Sequence, residues 1–236
     1  MIALIDYGVG NLRSVSKALE HINAPVQIVQ RAGELTDAGH AWGGIVLPGV
    51  GAFGDAAANF RRAGFEEPLL AAVHAGTPLL GICVGLQLLF DESEEMGRHR
   101  GLGIFAGTVS RFADGMTALQ NGQLHRLKVP QIGWNQIHHA STHPLLAGVP
   151  SGSYAYFVHS YYCAPTDPGI IIATTDYGID FASICGGRFG QGEVWGVQFH
   201  PEKSQATGLR ILRNFVDLVQ VRGMSSIPPS RQRAAA

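Results

Sequence analysis

The sharpest chemical feature of the chain is Gly81-Ile82-Cys83-Val84-Gly85. A cysteine with glycine two positions to either side, between an apolar strand-like run and a helix-like one, has the form of a nucleophile elbow. The turn in such an elbow is so tight that neighbouring Cβ atoms would collide, and the tip residue is held in strained backbone geometry. The start of a helix also favours an anion such as a thiolate. Taken alone, the pattern is equally that of a buried core cysteine between two packing glycines, because free cysteine is commonly buried.

A thiolate nucleophile needs a base, and the base needs an orienting group. Val197-Gln198-Phe199-His200-Pro201-Glu202 offers both at a strand end. Along an extended segment His200 and Glu202 emerge on one side. The carboxylate is then expected to hold one imidazole nitrogen while the other faces Cys83. The competing reading is a surface His-Pro-Glu turn, and with 10 histidines in the chain a chance one is unremarkable. Pro48-Gly49-Val50-Gly51-Ala52-Phe53 is a third element. Its glycines expose backbone N–H groups and permit unusual φ/ψ values. A Gly-rich turn at the carboxyl end of a parallel strand lies where ligands bind in such sheets. It lacks the Lys-Ser/Thr of a P-loop. Opposite a nucleophilic cysteine it reads as an oxyanion hole, and otherwise as an ordinary tight turn. Cys163, after Tyr161-Tyr162, and Cys185, in an alternating strand pattern, read as buried packing residues. The three cysteines have no paired spacing for a metal or a disulfide framework.

These residues must be positioned by regular elements. Ile2–Ile5, Val26–Val29, Gly44–Leu47 and Pro78–Ile82 are short apolar runs that read as buried strands, the third stopped by Pro48-Gly49. Between them lie helical patterns: one capped by Asn11 and running to Glu20, one over Asp55–Arg62, one over Glu66–Ala75 and one beginning at Gly85 and reaching Asp91. Strand–helix alternation of this kind predicts a parallel sheet covered on both faces. The second half changes character. Segments 102–112, 127–138, 154–163, 169–175, 181–189 and 194–199 are rich in Val, Ile, Phe and Tyr and read as strands, several antiparallel. A helix over Ser204–Val221 closes the fold. The expected architecture is α/β: one three-layer domain over residues 1–224, its central mostly parallel sheet flanked by helices and joined to an antiparallel part, followed by a flexible tail over 225–236.

Composition narrows the function. The chain has 236 residues, 46% hydrophobic and only 15% charged, so it can bury a sizeable core. A net charge of −1 provides no basic field for nucleic acid. No apolar run approaches the length of a membrane span. MIALIDYGVGN lacks the basic start of a signal peptide and reads as a first strand. The expected compartment is a reducing cytoplasm.

Together, PGVGAF (48–53), GICVGLQLLF (81–90) and VQFHPEKS (197–204) resemble the class I glutamine amidotransferases in order and spacing, over about residues 1–221. DYGVGNLRSV (6–15), QIGWNQ (131–136) and FVHSYY (157–162) are similar to the glutaminase subunits of imidazole glycerol phosphate synthase within that class. The resemblance implies a Cys83-His200-Glu202 triad, with Cys83 as nucleophile, His200 as base and Glu202 as its orienter. It implies oxyanion donors at Val50 and Val84 and glutamine contacts from Gly49, Gly51, Gln87, Glu95 and the His159-Ser160-Tyr161 run. It implies a cyclase partner, a (β/α)8 barrel in a heterodimer, met by Asn11, Trp134, Asn135 and Lys203. No metal and no organic cofactor is implied. The stretch 114–122 and the tail 225–236 exceed the family pattern. A glutaminase of another synthase, a free-standing γ-glutamyl cysteine hydrolase and a catalytically silent binding module are the alternatives.

Overall fold

The computed structural model describes residues 1–8, 10–37, 42–120, 123–140 and 142–225. Five parallel strands form one half of the main sheet, in the spatial order Val26–Val29, Ile2–Ile5, Gly44–Gly49, Leu79–Cys83 and Gly192–Val197. Their side chains are almost wholly buried beyond the edge strand, as continuous apolar runs covered on both faces require. The sheet then continues through Asp180–Phe189, Tyr161–Pro165 and Phe105–Arg111, each antiparallel to its neighbour. Phe90–Ser93 and His99–Arg100 complete it, and Ile171–Asp176 pairs beside Asp180–Phe189. Helices cover both sides. Trp195 meets Phe215 of the last helix, Gln205–Ser225, while Gly192, three residues earlier and so on the opposite face, is pressed against Val73 of the helix Glu66–His74. The helix Leu12–His21 lies beside the last helix, and Phe53–Arg62 follows the glycine turn. No helix among the described residues is long and apolar enough to cross a membrane.

Four elements differ from the sequence reading. The third strand does not stop at Leu47 but runs through Pro48 to Gly49. Its ladder with Ile2–Ile5 ends at Val46, so no N–H is missed at Pro48 on that side, and the Tyr7 hydroxyl donates to the Pro48 carbonyl at 3.0 Å. The helix after Cys83 lasts only from Val84 to Gln87. The carbonyls of Leu88, Leu89, Phe90 and Asp91 are taken by backbone N–H groups of residues 101–105 instead of by a next helical turn. The run 154–163 is two strands, Ser153–His159 and Tyr161–Pro165, in different sheets. The stretch 114–122 contributes Thr117–Gln120 to a hairpin with Gln123–Arg126; residues 121–122 lie outside the described residues. So do residues 226–236 of the expected tail, whereas Ser225 is still helical.

Outside the main sheet, Gln131–Ile137 and Ser153–His159 form a two-stranded antiparallel ribbon, with Trp134 opposite Tyr156 and Gln131 opposite His159. The parallel strands end at Gly49, Cys83 and Val197. These carboxyl ends, together with the ribbon, bound the candidate site.

Candidate active site

Cys83 ends the strand Leu79–Cys83 and immediately precedes the one-turn helix Val84–Gln87. Its backbone, at φ 54° and ψ −113°, has a positive φ that a side-chain-bearing residue adopts only under constraint. The constraint comes from glycines. A Cβ on Gly85 would collide with the Leu47 carbonyl oxygen, and one on Gly81 would lie 2.7 Å from the Gly85 oxygen. Gly49 is paired with Cys83 across the sheet, and a Cβ there would lie 2.5 Å from the Gly85 nitrogen. Gly49 therefore serves close packing in this conformation, while Gly51 holds φ +89°.

The fold brings His200 and Glu202 to Cys83. His200 lies near enough to Cys83 for that side chain to act on its charge, and its Nδ1 lies 2.8 Å from Glu202 Oε1. The connecting segment is not extended, as the sequence reading supposed. Pro201–Lys203 forms a 3-10 turn, which folds the buried carboxylate back under the imidazole. Ser204 Oγ fixes this turn by donating to the His200 carbonyl at 2.6 Å and accepting from the Tyr156 N–H at 2.9 Å. Burial alone would lower the His200 pKa, but Cys83 and the hydrogen-bonded Glu202 raise it to about 10. Because Nδ1 faces a carboxylate, it carries a proton, and Nε2 is left for the sulfur.

Beside Cys83 and His200 lies a cavity of about 310 Å³, at the small end of the range for small-molecule sites. Val50, Gly51, Val84, Gln87, Glu95 and the His159-Ser160-Tyr161 run all line it, as do Pro130 and Val158. Gly49 does not; it is the buried last residue of its strand. Gln87 Nε2 donates to the Tyr161 carbonyl at 3.0 Å and to Gln198 Oε1 at 3.2 Å. Glu95 accepts the Phe53 N–H at 2.7 Å. His159 packs among Phe112, Phe157 and Phe181 and donates from Nδ1 to the Tyr161 carbonyl at 2.8 Å. Burial, with the nearby His200, lowers its pKa to about 4 against that hydrogen bond, so it stays neutral. A larger cavity of about 550 Å³, between Trp195 and the last helix, holds none of the expected site residues.

The four residues expected at a partner surface separate. Trp134 is 47% exposed and stands on the outer face of the ribbon with Ile132 at 63% and Tyr154 at 55%. Its ring meets Tyr156 edge-on at 6.0 Å, and Lys203 Nζ lies 5.8 Å from the centre of the Tyr156 ring. These residues make one exposed apolar face with a cation at its border. Asn135 points the other way. Its amide donates to the Asp176 carbonyl at 2.8 Å, so it ties the ribbon to the fold. Asn11 does not cap its helix with its side chain. Its amide donates to Glu202 Oε1 and lies 3.3 Å from His200 Nδ1, so two donors share one carboxylate oxygen.

Sequence reasoning missed two buried contributors. Tyr7 lies near enough to Cys83 that burial and that neighbour both push its pKa up, and it remains a neutral donor to Pro48. Gln198 Nε2 lies 3.8 Å from Cys83 Sγ. Its place two residues before His200, at a strand's carboxyl end, was the available signal. Cys163 and Cys185 are buried in the sheet, and burial raises both thiols, Cys185 to about 12.

Comparison with known proteins gives concordant results. The family model "Glutamine amidotransferase class-I" matches residues 3–219. A protein of Halobacterium salinarum named imidazole glycerol phosphate synthase subunit HisH is 50% identical over 221 residues, covering 92% of each chain. Proteins of the same name from Moorella thermoacetica and Desulfitobacterium hafniense are each 45% identical, over 94% and 91% of this chain and 97% and 93% of their own. Among solved structures, a glutamine amidotransferase superposes with a TM-score of 0.65 at 19% identity, covering 93% of this chain and all of that one. The PurLQS structure from Thermotoga maritima gives 0.68 at 16% identity, over 92% and 98% of the two chains. At these identities the two structures speak to the fold alone.

Proposed function

Since the chain belongs to the class I glutamine amidotransferases, we infer that it is the glutaminase subunit of an imidazole glycerol phosphate synthase and works in the cytoplasm. The named relatives match nearly end to end, which supports the subunit assignment. The observation that carries the chemistry is the meeting, at one small cavity, of a strained cysteine, an imidazole and a buried carboxylate behind it.

In the proposed reaction the Cys83 thiolate attacks the side-chain amide carbon of L-glutamine. The C–S bond forms and the carbonyl π electrons move onto oxygen. Backbone N–H groups of Val50 and Val84 are assigned to that oxyanion, a contribution worth roughly 10²–10³ in rate per donor. Gly51, Gln87, Glu95 and the 159–161 run hold the rest of the substrate, with the Glu95 carboxylate suited to its α-ammonium. His200 is raised to about 10 and so begins protonated. It gives its Nε2 proton to the departing nitrogen, the C–N bond breaks, and ammonia leaves a γ-glutamyl thioester. The influence of Cys83 that helped raise His200 is lost when the sulfur is acylated. The imidazole then becomes a base able to take a proton from water. Water attacks the thioester, glutamate is released, and the thiolate and imidazolium are restored. Glu202 holds the ring through both halves.

The ammonia is consumed by a cyclase partner that docks on the outer face of the ribbon, at Trp134 and Lys203. It yields imidazole glycerol phosphate and an aminoimidazole carboxamide ribonucleotide. The test is reconstitution with a cyclase subunit. Cys83→Ala should abolish glutamine-dependent synthesis while leaving ammonium-dependent synthesis intact. A glutamine-analogue alkylator should label Cys83 alone. Labelling mapped to Cys163 or Cys185, or ammonium-dependent synthesis lost together with the glutamine reaction, would count against the assignment.

A further inference from the structure

Gln198 is fully buried, yet it carries a primary amide, which is costly to bury unless both ends are bonded. The orientation of that amide is dictated from a distance. The Tyr161 carbonyl can only accept, so the end of Gln87 lying 3.0 Å from it is the Nε2 donor. The same nitrogen lies 3.2 Å from Gln198, so the Gln198 atom facing it is Oε1. The end that remains is the NH₂ group, and it points at Cys83 Sγ from 3.8 Å. The polarity of the chain from backbone carbonyl to sulfur is thus fixed at every link. Turning Gln198 over would set its carbonyl oxygen against a thiolate and its NH₂ against the Gln87 donor.

We propose that Gln198 is a positioning residue for the nucleophile: its N–H holds and stabilises the Cys83 thiolate, and Gln87 keeps that N–H turned toward the sulfur. This rests on Cys83 being the nucleophile. His200 then contacts the sulfur as proton donor while Gln198 contacts it without exchanging a proton. Gln87 serves the site twice, as part of the pocket wall and as the lock on Gln198. A hydrogen bond to a charged group of this kind corresponds to roughly ten- to a hundredfold in the population of the charged form.

The test uses the full chain and iodoacetamide, which needs no substrate site: the thiolate displaces iodide and a C–S bond forms. Parent, Gln198→Met, Gln198→Glu, Gln87→Met and Cys83→Ala are compared by peptide mass at neutral and alkaline pH, with a thermal melt for each. Gln198→Met keeps the volume without the donor. Gln198→Glu keeps the acceptor for Gln87 but puts an anion beside the sulfur. At neutral pH, alkylation of Cys83 should slow about tenfold or more in Gln198→Met, further in Gln198→Glu, and least in Gln87→Met. At alkaline pH the Gln198→Met rate should rejoin that of the parent, because the thiolate then forms without help. A folded Gln198→Met or Gln198→Glu protein alkylated at the parental rate overturns the proposal. A deficit that persists equally at every pH does so too, since it marks a packing role. If the parent's Cys83 is not alkylated at all, the nucleophile assignment fails instead.

Discussion

His159 gives the structure a measurable acid sensitivity. Its imidazole is buried among Phe112, Phe157 and Phe181 with Nε2 unpartnered among the described residues, and burial lowers its pKa from 6.5 to about 4. Between those values the unfolded chain binds the proton and the folded chain does not. Stability therefore falls as pH drops below 6.5, and the loss is complete once pH passes below about 4. At 1.36 kcal/mol per pKa unit the full loss is about 3 kcal/mol, of which about 2 kcal/mol is gone by pH 5. His159→Phe removes the titrating group and leaves the Tyr161 carbonyl its Gln87 donor. The larger ring costs about 1–3 kcal/mol in packing at any pH, but that cost cancels when each protein is compared with itself. Urea unfolding of parent and variant at pH 7, 6 and 5 should show the parent losing about 2 kcal/mol more than His159→Phe over that span. The carboxylates and the other histidines contribute alike to both. Equal acid slopes would refute the reasoning.

Three further outcomes are expected. Trp134→Ala and Lys203→Ala should each weaken cyclase binding in calorimetry, by about 2 kcal/mol for the aromatic anchor, and binding unchanged in both would place the docking surface elsewhere. Val50→Pro deletes one assigned oxyanion donor, so kcat for glutamine should fall roughly 10²–10³-fold while iodoacetamide still alkylates Cys83 in a protein that melts normally. Gly85→Ala drives a methyl into the Leu47 carbonyl, so both the melting temperature and the rate of Cys83 alkylation should fall; a parental value of either would mean that the elbow relaxes without moving the sulfur.

The parallel half of the fold was legible because its strands are continuous apolar runs punctuated by turns, and every strand expected there forms. The errors came where backbone partners lie far away in the chain. Leu86-Gln87-Leu88-Leu89-Phe90 has the apolar content of a helix, but residues 101–105 claim the carbonyls of residues 88–91 that a continuing helix would need. Pro48 looked like a stop because nothing local reveals that its neighbour strand has already ended. Within the site, the residue types, order and strand ends around Cys83, His200 and Glu202 were readable. The turn that brings Glu202 beneath the ring was not, because the fixed φ of Pro201 suits an extended segment as well as the first position of a turn. Asn135 could have been excluded from the outer surface by alternation alone: adjacent strand residues point to opposite faces, so it could not share one with Trp134. Asn11 and Gln198 needed the fold, since each acts on a residue more than a hundred positions away.

The ribbon joins the proposed docking surface to the glutamine site through one side chain. Along Ser153–His159, Tyr154, Tyr156 and Val158 share the outer face, and Ala155, Phe157 and His159 are buried beneath. Val158 nevertheless lines the cavity beside Cys83, with Pro130 at the approach to the paired strand. A partner covering Trp134 and Tyr156 would therefore also reach the Val158 rim of the glutamine site. Val158 is then the position where binding of partner and of substrate are inseparable. Val158→Asp should weaken cyclase binding in calorimetry and also raise the KM for glutamine in the assembled enzyme. Trp134→Ala should change only the former, and Glu95→Ala only the latter. A Val158→Asp protein that folds and loses one without the other would show that the rim of the glutamine site and the docking surface are separate.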